Sequence, residues 1–188
     1  MPHRFFVAVL ALVACKEVAT PSTAAPHRSD ARTATPPPRS TRREAPRGRG
    51  EQGKLVGLTD AHNRVRAEVG VGPLAWSDEL ERYASAWASQ LAAKGCDLVH
   101  RGDGRYGENI FWSSNASTAA DVVAQWAAER VGYDHRRNRC EGTCGHFTQI
   151  VWKRSAKLGC GMASCGGGGE IWVCNYDPAG NVMGQSPY

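Results

Sequence analysis

Cysteine and histidine are the residue types here whose number and spacing could do chemistry. The seven cysteines are Cys15, Cys96, Cys140, Cys144, Cys160, Cys165 and Cys174. Six lie in the C-terminal part of the chain, an even set that reads as three disulfides and an oxidising compartment. Cys140 and Cys144 could instead open a zinc site, but Cys160, Cys165 and Cys174 are too widely spaced to supply a second tight pair. Of the six histidines, His3 and His27 fall in N-terminal segments and His135 sits by a basic run, Arg136, Arg137 and Arg139, that reads as a solvated loop. His62, His100 and His146 are left. No His-x-x-x-His pair exists, so spacing alone names no metal site. There is no Gly-x-Ser-x-Gly nucleophile element. Gly166-Gly167-Gly168-Gly169 lacks the lysine and following helix of a phosphate loop and reads as a turn.

Charge divides the chain. Residues 1–54 carry 10 Lys+Arg against 4 Asp+Glu, and residues 55–188 carry 13 against 14, within a net charge of +5. The basic balance thus belongs to the N-terminal segment, and no folded basic surface argues for nucleic acid. Met1 to Arg4 form a short basic start and Phe5 to Ala14 an apolar run, too short to span a bilayer as a helix but right for a signal peptide. It ends in Leu12-Val13-Ala14-Cys15, which resembles a bacterial lipobox and makes Cys15 a lipidation candidate and a membrane anchor. A signal cleaved further on, near Ala24 or Ala25, is the alternative. Residues 16–54 are rich in Pro, Arg, Ser, Thr and Ala and too poor in apolar surface to offset their ordering entropy. They are expected to be a disordered basic spacer before a domain at 55–188.

Within that domain Thr59 is positioned to cap a helix running to about Val69, stopped by Gly70, Gly72 and Pro73. Ser77 caps a second, with Leu80, Tyr83, Ala84, Trp87, Ala88 and Leu91 as its apolar stripe and Lys94-Gly95 as its end. Thr118 and Asp121 form a capping-box pattern for a third, Thr118 to Arg130, which places Val122, Trp126 and Glu129 on one face. A short fourth helix is expected at His146 to Trp152. Tyr106 to Trp112 reads as a strand, and Lys157 to Ala163 with Glu170 to Tyr176 as a hairpin. Trp76, Trp87, Trp126, Trp152 and Trp172 read as core. Interleaved helices and antiparallel closing strands imply helices on both faces of a small sheet.

Four stretches carry a resemblance. Gly145-His146-Phe147-Thr148-Gln149-Ile150-Val151-Trp152 and Ile171-Trp172-Val173-Cys174-Asn175-Tyr176-Asp177-Pro178-Ala179-Gly180-Asn181 resemble the two signatures of the CAP superfamily (SCP domain) of cysteine-rich secretory, antigen 5 and class 1 pathogenesis-related proteins. His62-Asn63-Arg64-Val65-Arg66 and Gly107-Glu108-Asn109 match its His-Asn-x-x-Arg and Gly-Glu-Asn elements. The plant class 1 type is the most similar, since the chain ends soon after the second signature with no added cysteine-rich domain. The resemblance implies an α/β (α+β) fold, a three-layer α-β-α sandwich with a small, mainly antiparallel central sheet. It implies a tetrad, His100, Glu108, Glu129 and His146, able to bind Zn²⁺ or another divalent metal, and the pairings Cys96–Cys165, Cys140–Cys144 and Cys160–Cys174. A hydrogen-bonded polar cluster fixing sheet to helices is the structural alternative for the tetrad. His62 resembles a family residue, and its neighbours Asn63 and Arg66 are expected to be structural.

The function implied is that of a secreted or envelope-anchored, non-enzymatic binder of lipid, sterol or an envelope component. The alternative is a metal-dependent hydrolase acting through the tetrad, with Ser113, Ser114 and Ser117 as nearby hydroxyls. Pro178 to Tyr188 also resembles a C-terminal peptide released from some plant relatives, although a packed tail is the simpler expectation. The lipobox reading makes a direct prediction. Cys15→Ser should abolish acylation and leave the precursor misprocessed by mass spectrometry; an unlipidated wild-type N-terminus beyond residue 15 would refute it.

Overall fold

The computed structural model describes residues 48–188. The signal segment with Cys15, and the spacer as far as residue 47, lie outside the described residues. In chain order the elements are α1 (Leu58–Glu68), β1 (Ala75–Trp76), α2 (Asp78–Ala93), β2 (Gly107–Ser113), α3 (Ala119–Ala128), β3 (Tyr133–Asp134), β4 (Arg139–Cys140), α4 (Gly145–Ile150), β5 (Lys157–Ser164) and β6 (Glu170–Asp177). Single 3-10 turns lie at Gly53–Leu55, Glu129–Gly132 and Gly166–Gly168.

The main sheet has the order β1-β5-β6-β2, with β1 parallel to β5 and the other pairs antiparallel. Strand β6 is central and buried on both faces, as its apolar run requires. Its residues alternate: Ile171 and Val173 pack with Ala84, Ala88 and Leu91 of α2. Trp172, Cys174 and Tyr176 pack with α1, α3 and α4 through Leu58, Val122, Trp126 and Phe147. The result is the expected α-β-α sandwich, in which α2 is the helix packed on one face among the described residues. Helix α2 can lie this close because β5 presents glycines to it. A Cβ on Gly159 would stand 2.3 Å from the Glu81 backbone, and one on Gly161 2.3 Å from that of Ser85.

The ends of the elements show local physics at work. The Ser77 hydroxyl accepts from Leu80 N–H (3.4 Å), and Thr118 and Asp121 form the reciprocal box. Helix α1 differs from expectation. Thr59 does not cap it; the Glu51 carboxylate does, accepting from Gly57 N–H (2.7 Å) and Thr59 N–H (2.5 Å). Asp78 likewise accepts from Arg49 and Gly50 N–H. Residues 48–54, read as the end of the spacer, therefore pack on the domain. Helix α3 stops at Ala128, two residues short of expectation, and tightens into the 3-10 turn Glu129–Gly132. Helix α4 ends at Ile150, also two short. The loop around His135 is the exposed tip of a two-stranded ribbon, β3 with β4, too short to show a periodicity. Trp126, Trp152 and Trp172 are core, whereas Trp76 and Trp87 are only half-buried.

The cysteines pair as the resemblance implied: Cys96–Cys165, Cys140–Cys144 and Cys160–Cys174. Cys160 and Cys174 are register partners across β5 and β6, and Cys96–Cys165 ties the end of α2 to the hairpin turn. The chain-entropy argument assigns each bridge about 2–4 kcal/mol, the long Cys96–Cys165 loop the most and Cys140–Cys144 the least.

Two polar residues of α1 reach the centre of the protein. Arg66, 1% exposed, donates to four backbone carbonyls: Gly72 (2.7 Å), Ile150 (2.7 Å), Trp152 (2.9 Å) and Ser155 (3.0 Å). Burial lowers its pKa to about 10, so it stays charged at neutral pH. His62 is fully buried, with Nδ1 2.8 Å from Leu58 O and Nε2 2.8 Å from the Tyr176 hydroxyl. A carbonyl only accepts, so Nδ1 carries the proton and Nε2 accepts from Tyr176. Burial lowers the His62 pKa from 6.5 to about 4. The native state thus refuses a proton that the unfolded chain takes. Stability from this residue is complete above pH 6.5 and is lost as pH falls towards 4, by up to about 3 kcal/mol. Urea unfolding from pH 7 to 4 should show this slope in the parent and not in His62→Gln; identical slopes would contradict the buried neutral ring.

Candidate functional site

The site forms around the start of β2, which is an edge strand of the main sheet. Adjacent residues of a strand point to opposite faces, and Glu108 and Asn109 use both. Glu108 lies across from Asn175 of β6 and Asn109 across from Cys174. Glu108 Oε1 accepts from Arg101 N–H (3.0 Å) and pairs with His100 Nδ1 (2.8 Å). This folds the loop after α2 back over the strand. Asn109 Nδ2 donates to His146 O (3.1 Å) and to the Tyr176 hydroxyl (3.1 Å). Hydrogen bonds therefore run from Leu58 through His62, Tyr176 and Asn109 to the backbone of His146.

The second pair is built by the turn that ends α3. There the Glu129 carboxylate faces the start of α4. Its Oε2 accepts from His146 N–H (2.8 Å), one of the unpaired donors of that helix end, and its Oε1 pairs with His146 Nδ1 (2.6 Å). The indole of Trp126 lies nearly parallel to the His146 ring, centroids 6.0 Å apart. Both glutamates thus bind their histidines through Nδ1, which leaves each Nε2 as the free ring nitrogen. The carboxylates are sheltered, with side chains 9% exposed for Glu108 and 17% for Glu129. The imidazoles are open, 62% for His100 and 30% for His146. The hydrogen bond to Glu108 raises the His100 pKa against a smaller opposing effect of burial.

His100, Glu108, Asn109, Gly145, His146 and Asn181 wall a cavity of about 200 Å³. A larger one, about 340 Å³, shares His100, Glu108 and Asn181. The structure therefore brings all four tetrad residues together as two pairs. Among the described residues no group of three or more His, Cys, Asp or Glu side chains is arranged as a metal site. Any ion here would rest on two imidazole nitrogens and on water. Ser113 is engaged with Asn115 N–H and Ser114 with the Asn115 side chain. The Ser117 backbone N–H donates to Glu170. None of these bonds joins a serine to an imidazole.

The cysteine-rich secretory protein (CAP) family model matches residues 59–176. The chain belongs to this family. It is 52% identical to pathogenesis-related protein 1C of Nicotiana tabacum over 132 residues, 69% of this chain and 77% of that protein. Among solved structures, venom allergen-like protein 4 of Schistosoma mansoni shares the fold, with a TM-score of 0.61 at 23% identity, covering 73% of this chain and 95% of that one. A structure described as NaASP2 with Zn²⁺ is 27% identical, with a TM-score of 0.59, covering 70% of this chain and 82% of that one.

Several CAP-site residues stand inside the quoted motifs, yet nothing in the sequence shows what they join. Asn181 accepts from Thr148 Oγ1 (2.7 Å) and donates to Gly145 O (2.9 Å), so the C-terminal segment is a wall of the site. That segment is packed: Lys153 N–H donates to Pro187 O (2.7 Å), and Tyr188 stacks on His135 with centroids 4.3 Å apart. Asn109 and Tyr176 stood inside recognised motifs, yet their join is long-range. Glu129 holds His146 by two bonds, so Glu129→Ala should cost about 2 kcal/mol in chemical denaturation and Glu129→Gln clearly less, because the amide oxygen still accepts. An alanine variant as stable as the parent would show that the pair carries no weight.

Proposed function

We propose that this chain is an extracellular, non-enzymatic binding protein whose cleft takes Zn²⁺ or a similar divalent ion through Nε2 of His100 and His146. The observation that carries the reading is the fixing of both rings through Nδ1 by sheltered carboxylates. That arrangement orients an imidazole, sets its tautomer and raises its basicity as a ligand. The relative solved with Zn²⁺ supports it. The ion would lend the cleft a positive centre for an oxygen-bearing ligand, while Glu108 and Glu129 hold the rings.

Extracellular placement is supported by the three disulfides, the apolar start of the chain and the secretory description of the family. Similarity to proteins named pathogenesis-related supports a role in defence. Anchoring through Cys15 rests on the lipobox pattern. A lipid or sterol ligand follows from the family resemblance, and a mainly apolar cavity of about 420 Å³, walled by Val56, Ala116 and Ala119, offers a place for one.

Calorimetric titration tests the metal. Two protein ligands should give roughly half of the ~10–16 kcal/mol of a four-ligand zinc site, a dissociation constant on the order of micromolar to submillimolar. His100→Ala and His146→Ala should each weaken binding at least about tenfold, ~1.4 kcal/mol. Protons compete for the same nitrogens, and Glu108 raises the His100 pKa, so affinity should begin to fall above pH 6.5 and continue downwards. Both variants binding like the parent would remove the cleft as the metal site.

A further inference from the structure

We infer that the domain docks on an anionic lipid bilayer through the end built by the β3–β4 ribbon, the turn after α4 and the C-terminal segment. Arg136, Arg139, Lys153 and Arg154 face the headgroups there, and Met183 enters the bilayer among them. This surface lies outside the metal cleft and needs no bound ion.

The near-neutral charge of the domain hides a local excess. Residues 130–157 hold seven Lys+Arg against Asp134 and Glu141, whereas the remainder of 55–188 holds six against twelve. Three of the seven are paired: Arg130 with Glu68, Arg137 with Asp134 and Lys157 with Asp177. The other four, Arg136, Arg139, Lys153 and Arg154, are exposed and have no carboxylate partner among the described residues. Against them stand Glu141 and the C-terminal carboxylate of Tyr188.

The C-terminal segment gathers these cations at one end of the fold. Gln185 O accepts from Asn138 Nδ2 at the ribbon tip (3.1 Å), and Gln185 Oε1 accepts from Arg154 (3.1 Å). Lys153, beside Arg154, is held to the same segment through Pro187 O. Two residues before Gln185, Met183 is 96% exposed, and Val182 is 42% exposed. Both wall one hollow with Asn138 and Cys140 of the ribbon and with Trp152. Exposed apolar side chains therefore stand beside the unpaired cations.

That pairing selects the partner. A soluble polyanion, such as an acidic polysaccharide, would use the arginines and leave Met183 in water. An anionic bilayer uses both. Each basic side chain near such a surface strengthens binding about fivefold, and an apolar side chain enters the boundary between headgroups and acyl chains. The docked edge also leads to the cleft, since Asn181, a wall of both tetrad cavities, directly precedes Val182.

The test is co-sedimentation of residues 16–188, free of N-terminal lipid, which contain every element and disulfide of the domain. The chain should bind phosphatidylcholine vesicles that contain phosphatidylglycerol and not vesicles of phosphatidylcholine alone. Arg136→Glu with Arg139→Glu should weaken binding at least about tenfold, and Met183→Ser about threefold. The basic N-terminal segment adds a background common to all variants. The charge-matched control is therefore Arg82→Glu with Lys94→Glu, in and just after α2 on the other face of the sheet, which should change binding less than about twofold. All five substituted residues are exposed, so each variant should unfold thermally like the parent. Equal losses in the two charge-reversed pairs would overturn the inference and assign the attraction to net charge. Absent binding, or equal binding to phosphatidylcholine alone, would also overturn it. So would full-strength binding by Met183→Ser, which would assign the arginines to a soluble polyanion.

Discussion

A guanidinium paired only with backbone carbonyls lies at the centre of this protein, and the site depends on it. Arg66 gathers carbonyls from the α1–β1 loop, from the last residue of α4 and from the segment that follows it. One of them, Trp152 O, also accepts from Ser155 N–H (3.1 Å); for the others, at a helix end and in loops, Arg66 supplies the donor that burial would otherwise deny them. One side chain therefore sets where α4 ends relative to α1. Since α4 begins at Gly145, it also helps set where His146 stands. A charge without a carboxylate partner among the described residues is tolerated because the carbonyl dipoles replace its water, at the cost of a lowered pKa.

The second constraint is directional. His62 can only donate from Nδ1 to Leu58, so Tyr176 must donate to His62, and Asn109 must donate to Tyr176. The remaining Asn109 proton goes to the His146 carbonyl. Helix α1, the central strand, the edge strand and α4 are thus tied by one polar chain with no spare donor. Around its end stand the two histidine–carboxylate pairs, one on each side of β2. The tetrad is therefore both a polar cluster that fixes sheet to helices and a pair of oriented imidazoles open to solvent. The structural and the functional readings describe the same bonds.

Much of this was legible in the sequence, and the exceptions have physical causes. The β5–β6 hairpin showed its bounds because Cys160 and Cys174 sit in apolar runs bracketing a glycine turn. Helices α2 and α3 showed their starts because Ser77, Thr118 and Asp121 act within three residues of the groups they cap. Glu51 caps α1 from outside the helix, beyond any local pattern, and Thr59 looked like the cap only by residue type. Strand β1 and the β3–β4 ribbon have two residues per strand, too few for alternation to register. The tetrad and the disulfide partners were readable only through family resemblance. His and Glu are common, and what makes Glu129 special is a turn that swings its carboxylate onto a helix start 17 residues later.

The central claim is that both cleft histidines, when neutral, are Nδ1–H tautomers, each held by its glutamate, with Nε2 as the nitrogen left for a ligand. Long-range ¹H–¹⁵N NMR of the metal-free protein, with pH raised until both rings are neutral, reads the tautomer of each ring directly. The account predicts a protonated-type Nδ1 shift and an unprotonated-type Nε2 shift for both His100 and His146. The reverse pattern at either residue, with the proton on Nε2, would contradict it.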